Sequence, residues 1–287
     1  MKKILSLILS AVLLAAAMGM MTGCGDKGIT IAVPNDATNE ARALLLLEAN
    51  GIIKLKEGVG ITATKMDIVE NPYNVTIKEL DAPSIPQTLA DVDFAVINSN
   101  YAILADMNPA KDSLAMEQAD AVACQLYANI LAVKEGRENE PIIKALVAAL
   151  ESQQVVDFIN KQYSGSVIST VKNPGTGYND AIDYTALAGQ KVTVAATATP
   201  HAEILEIVKT ILAEKNVTVE IKVVSDYVTP NTMVDTGDVD ANYFQHQPYL
   251  TDFNKENNTK VVSVSAVHAE PMGLYGGKQT SLDVFGK

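Results

Sequence analysis

The chain has 287 residues, a formal charge of −12, 48% hydrophobic and 20% charged residues, two cysteines and no tryptophan. That balance describes a globular protein with room for two lobes, and it excludes a disordered chain. So acidic a surface, with no basic run or arginine-rich helix, repels phosphate backbones and excludes nucleic acid as a partner.

The N-terminus begins with Lys2-Lys3, continues as an apolar run from Ile4 to Met21, and reaches Met21-Thr22-Gly23-Cys24. A charged start, a short apolar core and small residues before a cut site make a secretory signal. An apolar run of about 18 residues is at the short limit for a membrane span. The MTGC end resembles a bacterial lipobox. That resemblance implies a signal peptide over 1–23, a lipid-modified Cys24 and an anchored tether over 24–27. Each buried acyl methylene adds about 0.8 kcal/mol of membrane affinity. Cleavage removes Lys2 and Lys3 and takes the charge from −12 to −14. With Cys24 in the targeting segment, Cys124 has no disulfide partner and reads as a small buried hydrophobe.

Beyond the tether, Gly28 to Val33 alternates like a strand, and Pro34-Asn35-Asp36 breaks it. A helix follows from Thr38 to Ala49, capped by Thr38 or Asp36 and ended by Gly51. Strands are expected at Val75–Leu80 and Phe94–Asn98, with a helix over Ser84–Ala90 between them. Residues 141–163 carry a long amphipathic helical pattern with a break near Ser152. The Gly, Pro, Asn and Thr of 164–189 argue for a loop or linker. The opening grammar then returns. Val192–Ala196 reads as a strand, Thr199 as a helix cap with Pro200 at the first helical position, and His201–Ala213 as a helix. Strand, helix, strand, helix, strand follow over Val219–Val224, Tyr227–Asp235, Ala241–Phe244, Pro248–Asn257 and Val261–Val267. Alternating strands and helices imply parallel sheets with covered faces, here two α/β lobes with a cleft between them. Ligands in such sheets sit outside the carboxyl ends of strands. That rule gathers Pro34–Glu40, Asn98–Tyr101, Thr197–His201, Ser225–Tyr227 and Asn242–His246 around one cleft.

The stretch Asp240–Leu250, DANYFQHQPYL, concentrates three aromatic residues, two amides and His246 in a chain that is only 5% aromatic. Flat rings beside a few hydrogen-bonding groups suit a small, partly apolar ligand. The simpler reading of the same residues is an aromatic turn leading into a surface helix. Together with ATATPHAEIL, DYVTPN, VHAEPMGLY, VPNDATNEARALLLLE, AVINSNYA and LYANILAV, this stretch resembles the methionine-binding lipoproteins of ABC importers, the NlpA-type lipoproteins. The resemblance covers Gly28–Tyr163 and Lys191–Leu282. It implies a two-lobed fold like that of periplasmic binding proteins, in circularly permuted order, because the family's first segment ends this chain. The implied organisation is a first lobe over 28–104, a second over 105–163 and 191–275, a linker over 164–190 joining the family's usual ends, and 276–287 returning to the first lobe. The QADAVACQ stretch, Gln118–Gln125, replaces an acidic motif of the family. The three-residue tether reaches about 10 Å at most, so it should restrict how the first lobe sits on the membrane.

The resemblance also implies a binding site. Arg42 would be the carboxylate partner of an amino-acid ligand, since its planar fork can bond both oxygens. Asn98, Asn100 and Asn129 offer amides that bond either end of a zwitterion. Tyr227, Phe244 and His246 would surround the side chain, because a thioether favours aromatic edges. His201 stands at a helix start near the cleft, and His268 and Glu270 read as hinge residues. No CxxC, HExxH, GxSxG or Walker-type loop is present, and three scattered histidines match no metal spacing. The expectation is therefore a binding protein, with no enzymatic activity, cofactor or metal. It captures methionine at the extracytoplasmic face of a bacterial cell membrane, held by its lipid, for ABC importer permease subunits. The alternatives are a different small amino acid or dipeptide as ligand, or a surface adhesin or scaffold with a vestigial cleft.

Overall fold

A computed structural model describes residues 28–118 and 126–287. Cys24, Cys124, the signal and tether segments, and the replaced stretch beyond Gln118 lie outside those residues. In chain order the first elements are β1 (Thr30–Pro34), α1 (Ala37–Ala49), β2 (Lys54–Leu55), β3 (Ile68–Glu70), β4 (Thr76–Leu80), β5 (Phe94–Ile97), α2 (Ser99–Leu104), α3 (Pro109–Asp112) and β6 (Ala115–Met116). Next come β7 (Ala128–Lys134), α4 (Pro141–Leu150), α5 (Gln153–Tyr163), β8 (Ile168–Ser169), α6 (Tyr184–Leu187), β9 (Lys191–Thr197) and α7 (Glu203–Ala213). The chain closes with β10 (Thr218–Val224), α8 (Thr229–Thr236), β11 (Ala241–His246), α9 (Gln247–Asn257), β12 (Val261–Ala269) and β13 (Gly273–Gly276).

Two sheets build two lobes. The first has the order β4-β1-β5-β13-β6, and the second β10-β9-β11-β7-β12-β8. Both are mixed, not parallel as the alternation of elements suggests. β1 runs parallel to β4 and β5, but β13 runs antiparallel to β5 and β6. β9 is parallel to β10 and β11, while β7 is antiparallel to β11 and β12. The antiparallel strands are those next to passages from one sheet to the other, where the chain arrives from the opposite lobe. The central strands are apolar runs because both faces are covered. Leu44, Leu47 and Phe285 pack on one face of the first sheet, and Ile85 and Tyr101 on the other. Ile204, Leu205 and Leu146 cover one face of the second, with Val234 and Leu250 opposite.

The chain passes between the lobes twice, between Glu117 and Ala128 and again between Ala269 and Gly273. This corrects the expected boundaries. α3 and β6 stay with the first lobe beyond residue 104, and β13 belongs to the first sheet, so a cut at 275 would split a strand. Residues 164–190 are more than a linker. β8 pairs with β12, Gly175 bridges Ser152, and Tyr178 donates to Glu214 Oε2 at 2.8 Å.

Local signals explain the helix starts. Asp36 Oδ1 accepts from Asn39 N at 3.0 Å and caps α1, and Gly51 takes φ +57° just past its end. Ser152 Oγ accepts from Val155 N at 3.2 Å, which starts α5 where the sequence pattern breaks. Thr199, by contrast, is no cap. It is extended, its buried hydroxyl has no partner among the described residues, and α7 begins at Glu203.

Candidate functional site

The carboxyl ends of the strands face one another across a cavity with about 350 Å³ of space between atoms. The first lobe contributes Asn39 from α1 and Asn98, Ser99 and Asn100 from the β5–α2 junction. The second contributes Asn129 at the start of β7, His201 after β9, and Tyr227 after β10. Phe244, Gln245 and His246 end β11, Tyr249 follows on α9, and Glu270 enters from the passage between sheets. Seven of the expected site residues (Asn98, Asn100, Asn129, His201, Tyr227, Phe244 and His246) therefore meet in one cavity.

Arg42 is the exception. Its guanidinium donates through Nε and Nη2 to the two carboxylate oxygens of Glu117 at 3.0 and 2.6 Å. Nη2 also reaches the Glu270 carbonyl at 3.0 Å, and Nη1 reaches Asn39 Oδ1 at 3.3 Å. The ring of Tyr127 lies 4.5 Å from its Cζ. Arg42 thus stands behind the wall, one residue from the cavity, and fastens α1 to the edge of the first sheet and to the inter-lobe passage. Its partner lies 75 residues away, a pairing that no local pattern reveals.

One wall is aromatic. Tyr227 lies 5.9 Å from Phe244, Phe244 5.9 Å from Tyr249, and His246 6.3 Å from Tyr249. Tyr249 donates to the Tyr227 carbonyl at 3.0 Å and steadies the group. His246 Nδ1 accepts from Tyr249 N at 3.2 Å, capping α9, which leaves the proton on Nε2, 3.5 Å from Asn39 Oδ1. Burial, reinforced by the nearby Arg42 charge, pushes the His246 imidazole well below its ordinary value. The ring is therefore a neutral wall at pH 7.

The remaining walls are polar. Asn98 Nδ2 donates to Asn39 Oδ1 at 3.0 Å, while its own Oδ1 is buried without a partner among the described residues. Glu270 brings a carboxylate, and no Lys or Arg among the described residues pairs with it. His201 Nε2 and His268 Nε2 lie 3.3 and 2.8 Å from its Oε1. These three form the one group of metal-ligand types close enough to share an ion among the described residues. All their facing atoms are engaged in hydrogen bonds. Ser99 donates to the Pro271 carbonyl at 2.5 Å, so its hydroxyl points to the backbone and not to a base.

Of the residues that composition singled out, Asn242 is structural. It donates to Asn231 Oδ1 and the Pro230 carbonyl, and Gln245 joins the same buried amide network. Asn39, Ser99, Gln245, Tyr249 and Glu270 also line the cavity without having been singled out as ligand contacts, although Asn39 and Tyr249 fall in stretches expected at the cleft and Glu270 was read as a hinge residue. The signal for Asn39 and Tyr249 was position, since each lies within the first turn or two of a helix that starts at the cleft.

Across the cleft, Tyr227 donates to Asn100 Oδ1 at 2.7 Å and Tyr101 donates to the Ser225 carbonyl at 3.1 Å. The two phenol rings lie 5.0 Å apart. The arrangement sets an aromatic wall opposite a polar floor.

The sequence model of the NlpA lipoprotein family matches residues 26–171 and 192–287. The "D-methionine-binding lipoprotein MetQ" of Escherichia coli (strain K12) is 41% identical over 145 residues, 50% of this chain and 52% of that protein. "Outer membrane lipoprotein 3" of Mannheimia haemolytica is 41% identical over 141 residues, 49% and 52% of the two chains. The chain thus spans about half the length of the curated relatives it matches. A solved structure of a nutrient binding protein from Burkholderia cenocepacia bound to methionine is 48% identical, covering 48% of this chain and 57% of that one, with a TM-score of 0.46.

Proposed function

This chain belongs to the NlpA lipoprotein family, and we propose that it captures methionine outside the cell and hands it to the permease subunits of an ABC importer. The observation that carries the reading is the division of the cavity. Its aromatic wall suits a thioether, and its polar floor suits a zwitterion. A free amino acid brings an ammonium that needs acceptors and a carboxylate that needs donors. Glu270 and the partnerless Oδ1 of Asn98 are the acceptors. The side-chain amides of Asn100 and Asn129 are the donors, each oxygen being already engaged by Tyr227 or His201. Tyr227, Phe244, His246 and Tyr249 enclose the side chain. The name of the Escherichia coli relative supports the ligand class.

The protein acts by binding and not by catalysis. Cys24 carries the lipid anchor, on the outer face of a bacterial membrane. Among the described residues no helix is long and apolar enough to cross a membrane. The order of segments is a circular permutation of the family's, with 164–190 joining the old ends. In support, the family match falls into two stretches that leave only residues 172–191 between them.

The test is calorimetric. The chain from residue 25 is stripped of ligand by unfolding and refolding, then titrated with the twenty amino acids. Heat from methionine, with roughly ten- to a hundredfold weaker binding in a Phe244→Ala variant that still folds, is the expected result. Heat from a different amino acid replaces the ligand, and a folded protein silent to all twenty overturns the reading. A rearranged chain with 191–282 ahead of 28–163 should bind the same ligand if the permutation is real.

A further inference from the structure

Glu270 is a buried carboxylate held by two imidazoles, and the groups behind those imidazoles decide what it can do. Tyr243 is fully buried, and its hydroxyl meets His268 Nδ1 as its one acceptor among the described residues. Burial, with the Glu270 charge nearby, pushes the Tyr243 phenol well above its ordinary value. The phenol therefore keeps its proton and must donate it, since an unpaired buried donor costs about 1–3 kcal/mol. His268 Nδ1 is then an acceptor, and its ring proton sits on Nε2, 2.8 Å from Glu270 Oε1. On the other side, His201 Nε2 faces two acceptors, Asn129 Oδ1 and Glu270 Oε1, so it carries the ring proton and Nδ1 accepts from the Thr197 hydroxyl at 2.7 Å. His201 Nε2–H then lies 2.9 Å from Asn129 Oδ1 and 3.3 Å from Glu270 Oε1. Burial and the neighbouring His268 hold His201 well below the ordinary imidazole value, so it stays neutral.

We propose that Tyr243 and Thr197, acting through His268 and His201, are positioning residues that fix Glu270 as an oriented anion and make the cavity select ligands with a free ammonium. The inference rests on reading the cavity as an amino-acid site. Two N–H groups aimed at one oxygen hold the carboxylate without neutralising it, and leave its other oxygen free to accept. The tautomers also decide which cation fits. A metal ion needs bare Nε2 lone pairs, and here both carry protons. An ammonium needs acceptor oxygens, which is what the locked carboxylate provides.

The experiment combines ¹⁵N-histidine NMR with selectivity. In the intact chain, His201 and His268 should both be neutral with the proton on Nε2. Wild type should prefer methionine to 4-(methylthio)butanoate, which lacks only the amino group. Glu270→Gln should reduce that preference at least tenfold, about the worth of one charged hydrogen bond. Tyr243→Phe should reduce it severalfold, with a mixed tautomer at His268. Thr197→Val does the same at His201 and stands in should Tyr243→Phe fail to fold. A proton on Nδ1 of either ring in wild type would overturn the proposal. So would wild-type selectivity in the folded variants, or Zn²⁺ binding that displaces both Nε2 protons. If methionine itself does not bind, the proposed function fails while the NMR still decides the tautomers.

Discussion

At the scale of single residues, the proposed site separates groups that would face a ligand from groups that hold those in place. Phe244 belongs to the first kind. Replacing it with Ala removes an aromatic wall worth about 1.5–3 kcal/mol of apolar contact, so methionine should bind roughly ten- to a hundredfold more weakly by calorimetry. Arg42 belongs to the second. Arg42→Ala strands Glu117, which also accepts from Met272 N at 2.7 Å. Breaking a buried pair this way costs about 3–5 kcal/mol, to be read as a lower urea midpoint. His246 adds a pH dependence. Its folded pKa is depressed, so the unfolded chain binds the proton more readily. Its contribution is fully present above about pH 6.5, the ordinary imidazole value, and declines as pH falls below that. Urea midpoints compared at pH 7.5 and 5.5 should fall less in His246→Asn, which keeps an oxygen to cap α9.

At the scale of elements, local chemistry and non-local pairing separate cleanly. Ser152→Ala should cost about 1 kcal/mol in denaturant unfolding by removing the α5 cap, with ligand affinity unchanged because the helix lies away from the cavity. Such starts and stops were legible in the sequence because Asp36, Gly51 and Ser152 act on backbone groups two to four residues away. Element positions followed for the same reason, and His201, Phe244 and His246 were placed at the cleft by the rule about strand ends. Strand direction was not legible. Whether β7 or β13 runs with or against its neighbours depends on where the chain returns from the other lobe, and alternation along the sequence carries no record of that. The pairing of Arg42 was not legible either. Its charge is visible in the sequence, but Glu117, 75 residues on, is what occupies it. The Tyr243–His268–Glu270 chain was invisible because a buried hydroxyl and an imidazole are recognisable as partners only once β11 and β12 are placed around β7.

At the scale of the whole molecule, the two lobes meet through direct bonds as well as through any ligand. Tyr101 and Tyr227 each donate across the cleft, in opposite directions. A ligand shifts an open–closed equilibrium only by its differential affinity for the two states, and these bonds set where that equilibrium starts. A hydrogen bond is worth about 1 kcal/mol net. Stopped-flow dissociation from Tyr101→Phe should therefore be roughly fivefold faster, with little change in the cavity's selectivity. The short passage from Glu270 to Met272 joins the second sheet to the first, and it carries the carboxylate proposed to meet the ligand. Sensor and axle are the same few residues. A charge arriving at Glu270 exerts its torque directly on the pivot, with no intervening lever. Changes that stiffen or slacken this passage should therefore alter grip and swing together, and selection acting on one is selection acting on both.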